Sequence, residues 1–380
     1  MRHKIQQVMN SDEAGDYSKL AAGLHLLSRL YGAAMRLRAL GYQSGYLKTN
    51  NLPCRVISIG NLAVGGTGKT PMTIHLAEML NRLGFKPVVI SRGYKGGGEK
   101  CGGIVSDGRT FFMSAEKTGD EPLMMARRLQ MIGVPVVVGR NRFRSGMLAI
   151  RVFRPDVILL DDAFQHLKLR RDLDLILLDG THPFGNTHLL PRGILREPVS
   201  ALDRADIFVL TRTEKDDTAA VGRLRGIIGN QPVYTASHKP FISQWVATGS
   251  RYRQPPAEVR AAAAFDLRSL RDRRVFGFSG IAGNDGFKET LESLGCDMAG
   301  FTGFADHHWY SDDDVATLLR AAGQSGADLV CTTEKDVIRL ALKRPWPVDL
   351  VVIGIDMSLG SRQAAFEKDI VSRLGSGAGA

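Results

Sequence analysis

A chain of 380 residues, 44% apolar and 23% charged, has the composition of an ordinary globular protein and is long enough for two cored domains. Its formal charge of +11 favours anionic partners, while four scattered cysteines without a C-x-x-C pair argue against a zinc site or disulfide framework and suit a reducing cytosol. No apolar run reaches the roughly 18 residues of a membrane span, and polar residues follow Met1-Arg2-His3-Lys4 where a signal peptide would be apolar, so neither a span nor export by that route is expected.

Residues 1–18 are polar. From Leu20 to Leu40 the period is helical: Leu20, Leu24, Leu27, Tyr31 and Met35 share one stripe, His25, Arg29, Gly32 and Arg36 lie opposite, and Leu26, Leu30 and Leu37 widen the apolar arc. Such a helix packs on a domain core or lies in a membrane interface.

The strongest pattern comes next. A short apolar strand, Val56-Ile57-Ser58-Ile59, leads through Gly60-Asn61 to Ala63-Val64-Gly65-Gly66-Thr67-Gly68-Lys69-Thr70. Glycines without Cβ let backbone N–H groups close around phosphate oxygens. Lys69 supplies charge for the β- and γ-phosphates, Thr70 a hydroxyl for Mg2+, and the following helix its positive end. Residues 63–70 are thus the nucleotide candidates. Ala63 stands where G-x-x-x-x-G-K-[ST] begins, and an incidental glycine-rich turn is the bland alternative.

Met72–Leu83 continues as a helix and Pro87–Ile90 as a buried strand, followed by the basic loop Ser91-Arg92-Gly93-Tyr94-Lys95-Gly96-Gly97-Gly98 at the edge where open α/β sheets bind ligands. Gly119-Asp120-Glu121-Pro122 opens a helix, with Asp120 readable simply as its N-cap. Arg140, Arg142 and Arg144 follow a strand at Val134–Val138, as anion ligands or a solvated basic face. Val157-Ile158-Leu159-Leu160-Asp161-Asp162 is a buried strand ending in two adjacent acids, a conflict of charge and desolvation that a cation relieves. Further strands at Asp172–Leu178 and Ile207–Leu210 indicate a P-loop NTPase-type, doubly wound, mostly parallel α/β sheet. Beyond a weakly periodic stretch at Tyr234–Arg274, a second, smaller α/β pattern carries Asp306-His307-His308-Trp309-Tyr310. Thr-Glu-Lys-Asp occurs at Thr213 and again at Thr333, too short to be a repeat and unlike a guanine-reading motif.

Taken together, Gly60-Asn61-Leu62 through Thr70-Pro71, Ser91-Arg92-Gly93-Tyr94, Gly119-Asp120-Glu121-Pro122, Asp161-Asp162-Ala163-Phe164-Gln165-His166, Leu195-Arg196-Glu197-Pro198 and Asp306-His307 resemble the tetraacyldisaccharide 4'-kinase family, in one order from Leu20 to Ile355. Ala163 departs from the family's usual Gly, and the extension before Leu20 has no family role. The resemblance implies transfer of the ATP γ-phosphoryl, with Mg2+, to the 4'-hydroxyl of an acylated disaccharide 1-phosphate lipid, by an enzyme held peripherally at the cytoplasmic face of the inner membrane. It implies Asp120 as base, His307 as the residue that orients or tunes it, Lys69 on the phosphates, and Thr70 with Asp161 or Asp162 on the metal. Substrate contacts are expected among Asn61, Arg92, Tyr94, Glu121, Arg140, Arg142, Gln165, His166, Arg196 and Glu197.

The expected organisation is an extension and membrane-associating helix over 1–50, the P-loop domain over 51–238, a linker or peripheral strands over 239–272, a second α/β domain over 273–358, and a terminal helix over 359–380 returning to the first domain. A P-loop ATPase switch acting on partner proteins is the rival class, and a kinase with a water-soluble acceptor the rival enzyme. A nucleic-acid motor is disfavoured, since aromatics are 7% and no stacking platform is evident.

Overall fold

Strands buried on both faces cannot alternate polar with apolar, so they must be covered by helices on either side. The computed structural model, which describes residues 9, 18–94, 96–213, 218–248, 265–340, 346 and 348–375, has this arrangement. Most of the polar extension, Lys95 of the basic loop, Glu214-Lys215-Asp216 and much of the expected link lie outside the described residues.

In chain order the strands are β1 (Arg55–Asn61), β2 (Pro87–Ser91), β3 (Gly103–Ser106), β4 (Val136–Val138), β5 (Val157–Asp161), β6 (Leu173–Asp179), β7 (Ile207–Thr211), β8 (Val233–Val246), β9 (Arg274–Ser279), β10 (Asp297–Gly303), β11 (Leu329–Thr333) and β12 (Asp349–Ser358). The helices used below are α1 (Ser18–Gln43), α2 (Lys69–Arg82), α3 (Asp120–Leu129), α4 (Arg142–Phe153), α5 (Thr218–Ile228), α6 (Asn284–Ser293), α7 (Asp312–Gln324), α8 (Glu334–Arg339) and α9 (Gln363–Leu374). All the strands join in one sheet of order β10-β9-β11-β12-β8-β7-β6-β1-β5-β2-β4-β3. Pairing is parallel except for the edge strand β3 on β4 and the central pair β8 on β12.

That central pair joins the two halves. β8 runs parallel to β7 through Val233–Ala236, then antiparallel to β12 from Ser237 to Val246, so residues 239–246 are strand, one of the two forms expected of this weakly periodic stretch. α9 returns to the first half: Phe366, Ile370 and Leu374 are buried in one cluster with Ile57, Met72 and Leu76, and Tyr234 donates to Asp369 at 2.6 Å.

α1 keeps most of the face its periodicity assigns, with Leu24 buried and Leu20, Tyr31 and Met35 half-buried, but is rotated so that Leu27 turns outward. Ala21, Leu24, Ser28 and Gly32 face inward, whereas Leu27 is 53% exposed, and Leu26, Leu30, Leu37 and Leu40 form an open apolar stripe. Hydrogen bonds rather than hydrophobicity choose the inner face. Ser28 donates to the Leu189 carbonyl, Tyr31 to that of Arg196 and Arg38 to that of Gln165, each at 2.8 Å. Leu189 packs against Gly32 so closely that a Cβ there would lie 2.6 Å from its Cδ1 and would push that methyl aside. Among the described residues no helix is long and apolar enough to cross a membrane.

Candidate active site

The loop between β1 and α2 sits at the carboxyl edge of the sheet, between the strands that carry Asp161 and Asp179. Left-handed backbone at Gly68 (φ 82°) turns the chain into α2, and Gly65 (φ 124°) also lies where L side chains are disfavoured. The loop is braced from outside. Val64 N–H donates to Ile194, Arg212 to the Gly66 carbonyl at 3.0 Å, and the Thr211 hydroxyl to the Thr67 carbonyl at 3.2 Å. Helix α2 points its free N–H groups into this loop, as an anion site requires. Lys69 curls over it, its Nζ 3.5 Å from the Gly65 carbonyl and 3.8 Å from Asp162; burial pulls its pKa below the ordinary lysine value although Asp162 opposes the shift.

The two acids at the end of β5 have different environments. Asp161 is buried and accepts from Thr73 at 3.1 Å and Ser91 at 3.4 Å. Burial, with Glu121 and Asp162 nearby, pushes its pKa up to about 7. Asp162 sits at φ 47° and receives Arg196 Nη1 on both oxygens, at 2.9 and 3.0 Å. Burial opposes its ionisation, but Lys69 and Arg196 together hold its pKa below the usual carboxylate value. Thr73 lies one helical turn beyond Thr70, so the hydroxyl that holds Asp161 and the hydroxyl expected on the metal share one edge of α2. Thr70 and the two carboxylates form a hard-oxygen set of few protein ligands, the set Mg2+ takes when phosphates and waters complete its shell.

The third group assembles across the halves. Gly119, not Asp120, is the N-cap of α3, because its backbone (φ 82°, ψ 166°) is accessible to glycine and Asp120 already has helical geometry. Asp120 is buried; His307 Nδ1 lies 2.9 Å from its Oδ2, Arg339 Nε 3.3 Å from the same atom, and its Oδ1 accepts the Glu121 N–H. Burial would raise the Asp120 pKa, yet the hydrogen bond and charge of His307, with Lys335 and Arg339, hold it at about 2. Its hydrogen bond to Asp120 raises the pKa of His307 above the ordinary histidine value. Tyr94 stands edge-on to the His307 ring at 6.1 Å, with Arg92 5.7 Å from the Tyr94 ring centre.

The other candidates divide. Gln165 donates to the Asn61 carbonyl at 2.9 Å, and Glu197 is buried against Arg204, with Arg38 of α1 at 4.0 Å. Both polar atoms of the Asn61 side chain are buried without a partner among the described residues, as is the Thr67 hydroxyl. Glu121 pairs with Lys335. Arg142 turns inward: it is buried, donates to the carbonyls of Gly139 and Asp161, and its pKa falls to about 10 through burial, whereas Arg140 is exposed. Arg142 therefore ties together the ends of β4 and β5 beside the two acids. His166 is carried down to about 4 by burial and surrounding arginines, so it stays neutral.

Arg339, Lys335 and Asp336 escape a reading of the sequence alone. Their signal is the second Thr-Glu-Lys-Asp, whose acids and bases pair with α3: Glu334 with Arg128 at 3.2 Å, Lys335 with Glu121, and Arg339 one turn on with Asp120.

Residues 20–375 match the family model of Tetraacyldisaccharide-1-P 4'-kinase (LpxK). A tetraacyldisaccharide 4'-kinase of Desulfatibacillum aliphaticivorans is 39% identical over 98% of both chains, and one of Pelobacter propionicus is 43% identical over 87% of this chain and 90% of its own. A crystal structure of Aquifex aeolicus LpxK in complex with ATP superposes with a TM-score of 0.70 at 31% identity, covering 93% of this chain and 99% of that one.

Proposed function

The chain belongs to the tetraacyldisaccharide 4'-kinase family, and on that premise we propose that Asp120 and His307 deprotonate the acceptor hydroxyl beside the phosphate loop. The protein is an ATP-dependent kinase of lipid A biosynthesis, moving the γ-phosphoryl group of ATP to the 4'-hydroxyl of a tetraacyldisaccharide 1-phosphate to give lipid IVA. The observation that carries the mechanism is the 2.9 Å contact between Asp120 and His307, made from opposite halves of the sheet.

The reaction needs charge neutralisation on the phosphates, an aligned alcohol and a destination for its proton. Residues 63–70 would cradle the phosphates, with Lys69, whose Nζ lies 3.5 Å from the Gly65 carbonyl, as their counter-charge. Thr70, Asp161 and Asp162 would hold Mg2+, which when bound supplies positive charge to the phosphate oxygens. As the sugar oxygen forms its bond to γ-phosphorus and the bond to the ADP oxygen breaks, the hydroxyl proton passes to Asp120. A carboxylate held at about 2 is always ionised at physiological pH. In a loose transition state the proton leaves late, so such a base acts chiefly by orienting the O–H bond, while His307 fixes the carboxylate and spreads the charge. Tyr94, edge-on to His307, Arg92 beside the Tyr94 ring and Arg196 on Asp162 are the candidates for contacts to the acceptor.

The acceptor's acyl chains belong to a bilayer, and α1 gives the enzyme a way to meet it. Leu26, Leu30, Leu37 and Leu40 are exposed on a helix that contains arginines and no acid, which suits a peripheral seat on the anionic inner-membrane surface facing the cytoplasm.

The test incubates the protein with γ-labelled ATP, Mg2+ and the disaccharide 1-phosphate lipid in detergent and follows label into lipid. Label should enter lipid, and Asp120→Asn should abolish most transfer while leaving ATP binding. Release of label only as free phosphate would instead support an ATPase switch.

A further inference from the structure

The second Thr-Glu-Lys-Asp segment and the helix it starts contain a buried guanidinium that the reaction outlined above leaves unused. Arg339 is 2% exposed, yet each of its nitrogens has a partner. Nη1 donates to the Gly280 carbonyl at 2.9 Å, Nη2 to Asp336 at 2.9 Å and Nε to the Lys335 carbonyl at 3.1 Å, while Nε also lies 3.3 Å from Asp120 Oδ2. The Gly280 carbonyl that receives Nη1 also receives the His307 N–H at 3.0 Å. Arg339 and His307 thus hang from one carbonyl and converge on one carboxylate oxygen. Asp336 locks the assembly from behind, accepting Gly280 N–H at 2.9 Å, Tyr310 at 2.8 Å and Thr333 at 2.6 Å.

We propose that Arg339 is a positioning residue for phosphoryl transfer: its planar fork fixes Asp120 Oδ2 to the loop that carries His307, so that Oδ1 meets the acceptor hydroxyl in one orientation. The inference rests on Asp120 being the base. Buried ion clusters hold protein segments together no better than well-packed apolar side chains of similar volume. What a guanidinium adds is direction, with several donors in one plane that neither a leucine nor a lysine reproduces. His307 needs that support, because its backbone is in the left-handed region (φ 61°) and its ring is placed by what holds Gly280. Without Arg339 the Asp120 carboxylate turns about its side-chain torsion toward Lys335, and base and acceptor lose their alignment.

The experiment measures steady-state lipid phosphorylation by the full chain in detergent for Arg339→Met, Arg339→Lys, Asp120→Asn and the double variant Asp120→Asn/Arg339→Met, alongside ATP affinity and thermal unfolding. Arg339→Met should lower kcat about a hundredfold, the cost of a small misplacement of a catalytic group, with the Kd for ATP unchanged. Arg339→Lys, which keeps the charge and loses the fork, should still lower kcat by about tenfold or more. In the Asp120→Asn background Arg339→Met should cost nothing further, since it acts through that carboxylate. Wild-type kcat per folded molecule in Arg339→Met, or an equal loss in both backgrounds, overturns the proposal. If Arg339→Met does not fold, wild-type kcat in Arg339→Lys overturns it. Normal transfer by Asp120→Asn overturns the base assignment itself, whatever Arg339 does.

Discussion

His307 and Asp120 lie 187 residues apart in sequence and 2.9 Å apart in space, Nδ1 to Oδ2. They come from opposite halves of the sheet, joined by the β8–β12 pair. Because the nucleotide loop belongs entirely to the first half, removing the imidazole should leave ATP binding intact and lower only transfer. His307→Ala should lose about 10²–10⁴-fold in kcat, with ATP affinity by calorimetry unchanged. Weakened ATP binding of the same size would place His307 on the nucleotide instead.

The same pair makes stability depend on pH. Asp120 raises the folded-state pKa of His307 above 6.5. A raised histidine stabilises the fold fully below its unfolded pKa, and that stability is lost as pH rises through the folded value. Thermal unfolding should therefore fall as pH climbs from 6.5 through that value, and His307→Gln should flatten this limb. Asp120 contributes the opposite limb: with its pKa held at about 2, its stability is present above the ordinary 3.8 and is lost as pH falls toward 2. A His307→Gln curve that overlays wild type above neutrality would refute the linkage.

What was legible in the sequence follows the range of the interactions. The phosphate loop and the Asp161-Asp162 strand end could be read directly, because strand, turn and helix there are fixed within a few residues. Asp120 and His307 could be paired only through resemblance, since no local pattern brings such distant residues together. For Arg339 the second Thr-Glu-Lys-Asp marked the segment and not the contact, because a buried arginine looks like any charge on a short helix until its partners arrive. Periodicity placed Leu24 and Tyr31 on the inner side of α1 and missed the rotation that turns Leu27 outward, where Leu189 and its carbonyl take Gly32 and Ser28 instead. Arg142 was legible as a cation and not as a buttress, since spacing does not say which way a side chain turns.

Arg196 offers Asp162 a two-oxygen contact while Lys69 stands on the other side at 3.8 Å. Removing the guanidinium leaves Asp162 free to close on Lys69, drawing the lysine away from the phosphates. The pair is partly exposed, so the interaction is screened and its loss is modest. Arg196→Ala should lower kcat/KM for ATP about tenfold, or about 1.4 kcal/mol, and Arg196→Lys should recover part of it. An unchanged value in both variants would show that Arg196 serves only the fold.

The outer stripe of α1 is predicted to be the membrane contact. A leucine moved fully out of water gains about 1.5–3 kcal/mol, so two that are roughly half buried by the lipid account for at least about a tenfold change in partition. Leu30 and Leu37 are 61% and 69% exposed and make no contribution to the core. Leu30→Ser/Leu37→Ser should keep its unfolding temperature and its activity in detergent, while sedimentation with anionic vesicles drops by that factor. Undiminished sedimentation would move the contact elsewhere on the surface.

Gly119 sets where Asp120 begins. Its φ of 82° with ψ of 166° is a region that other residues enter at a cost of about 1–3 kcal/mol. A Cβ there would also lie 2.7 Å from the Tyr94 carbonyl, a backbone atom of the loop that carries Arg92 and Tyr94 and so cannot give way as a side chain would. Gly119→Ala should therefore push Asp120 and that loop apart, lowering the unfolding temperature and reducing kcat about a hundredfold, since a 1 Å displacement of a catalytic group costs that much. Gly222 of α5 supplies the control, having, among the described residues and apart from its own helix backbone and chain neighbours, no atom within 4 Å of its Cβ position, and no positive φ. Gly222→Ala should be neutral or gain about 0.5–1 kcal/mol from the helix preference for alanine. If Gly119→Ala matched it in both stability and kcat, the fixed entry of α3 would not be what places the base.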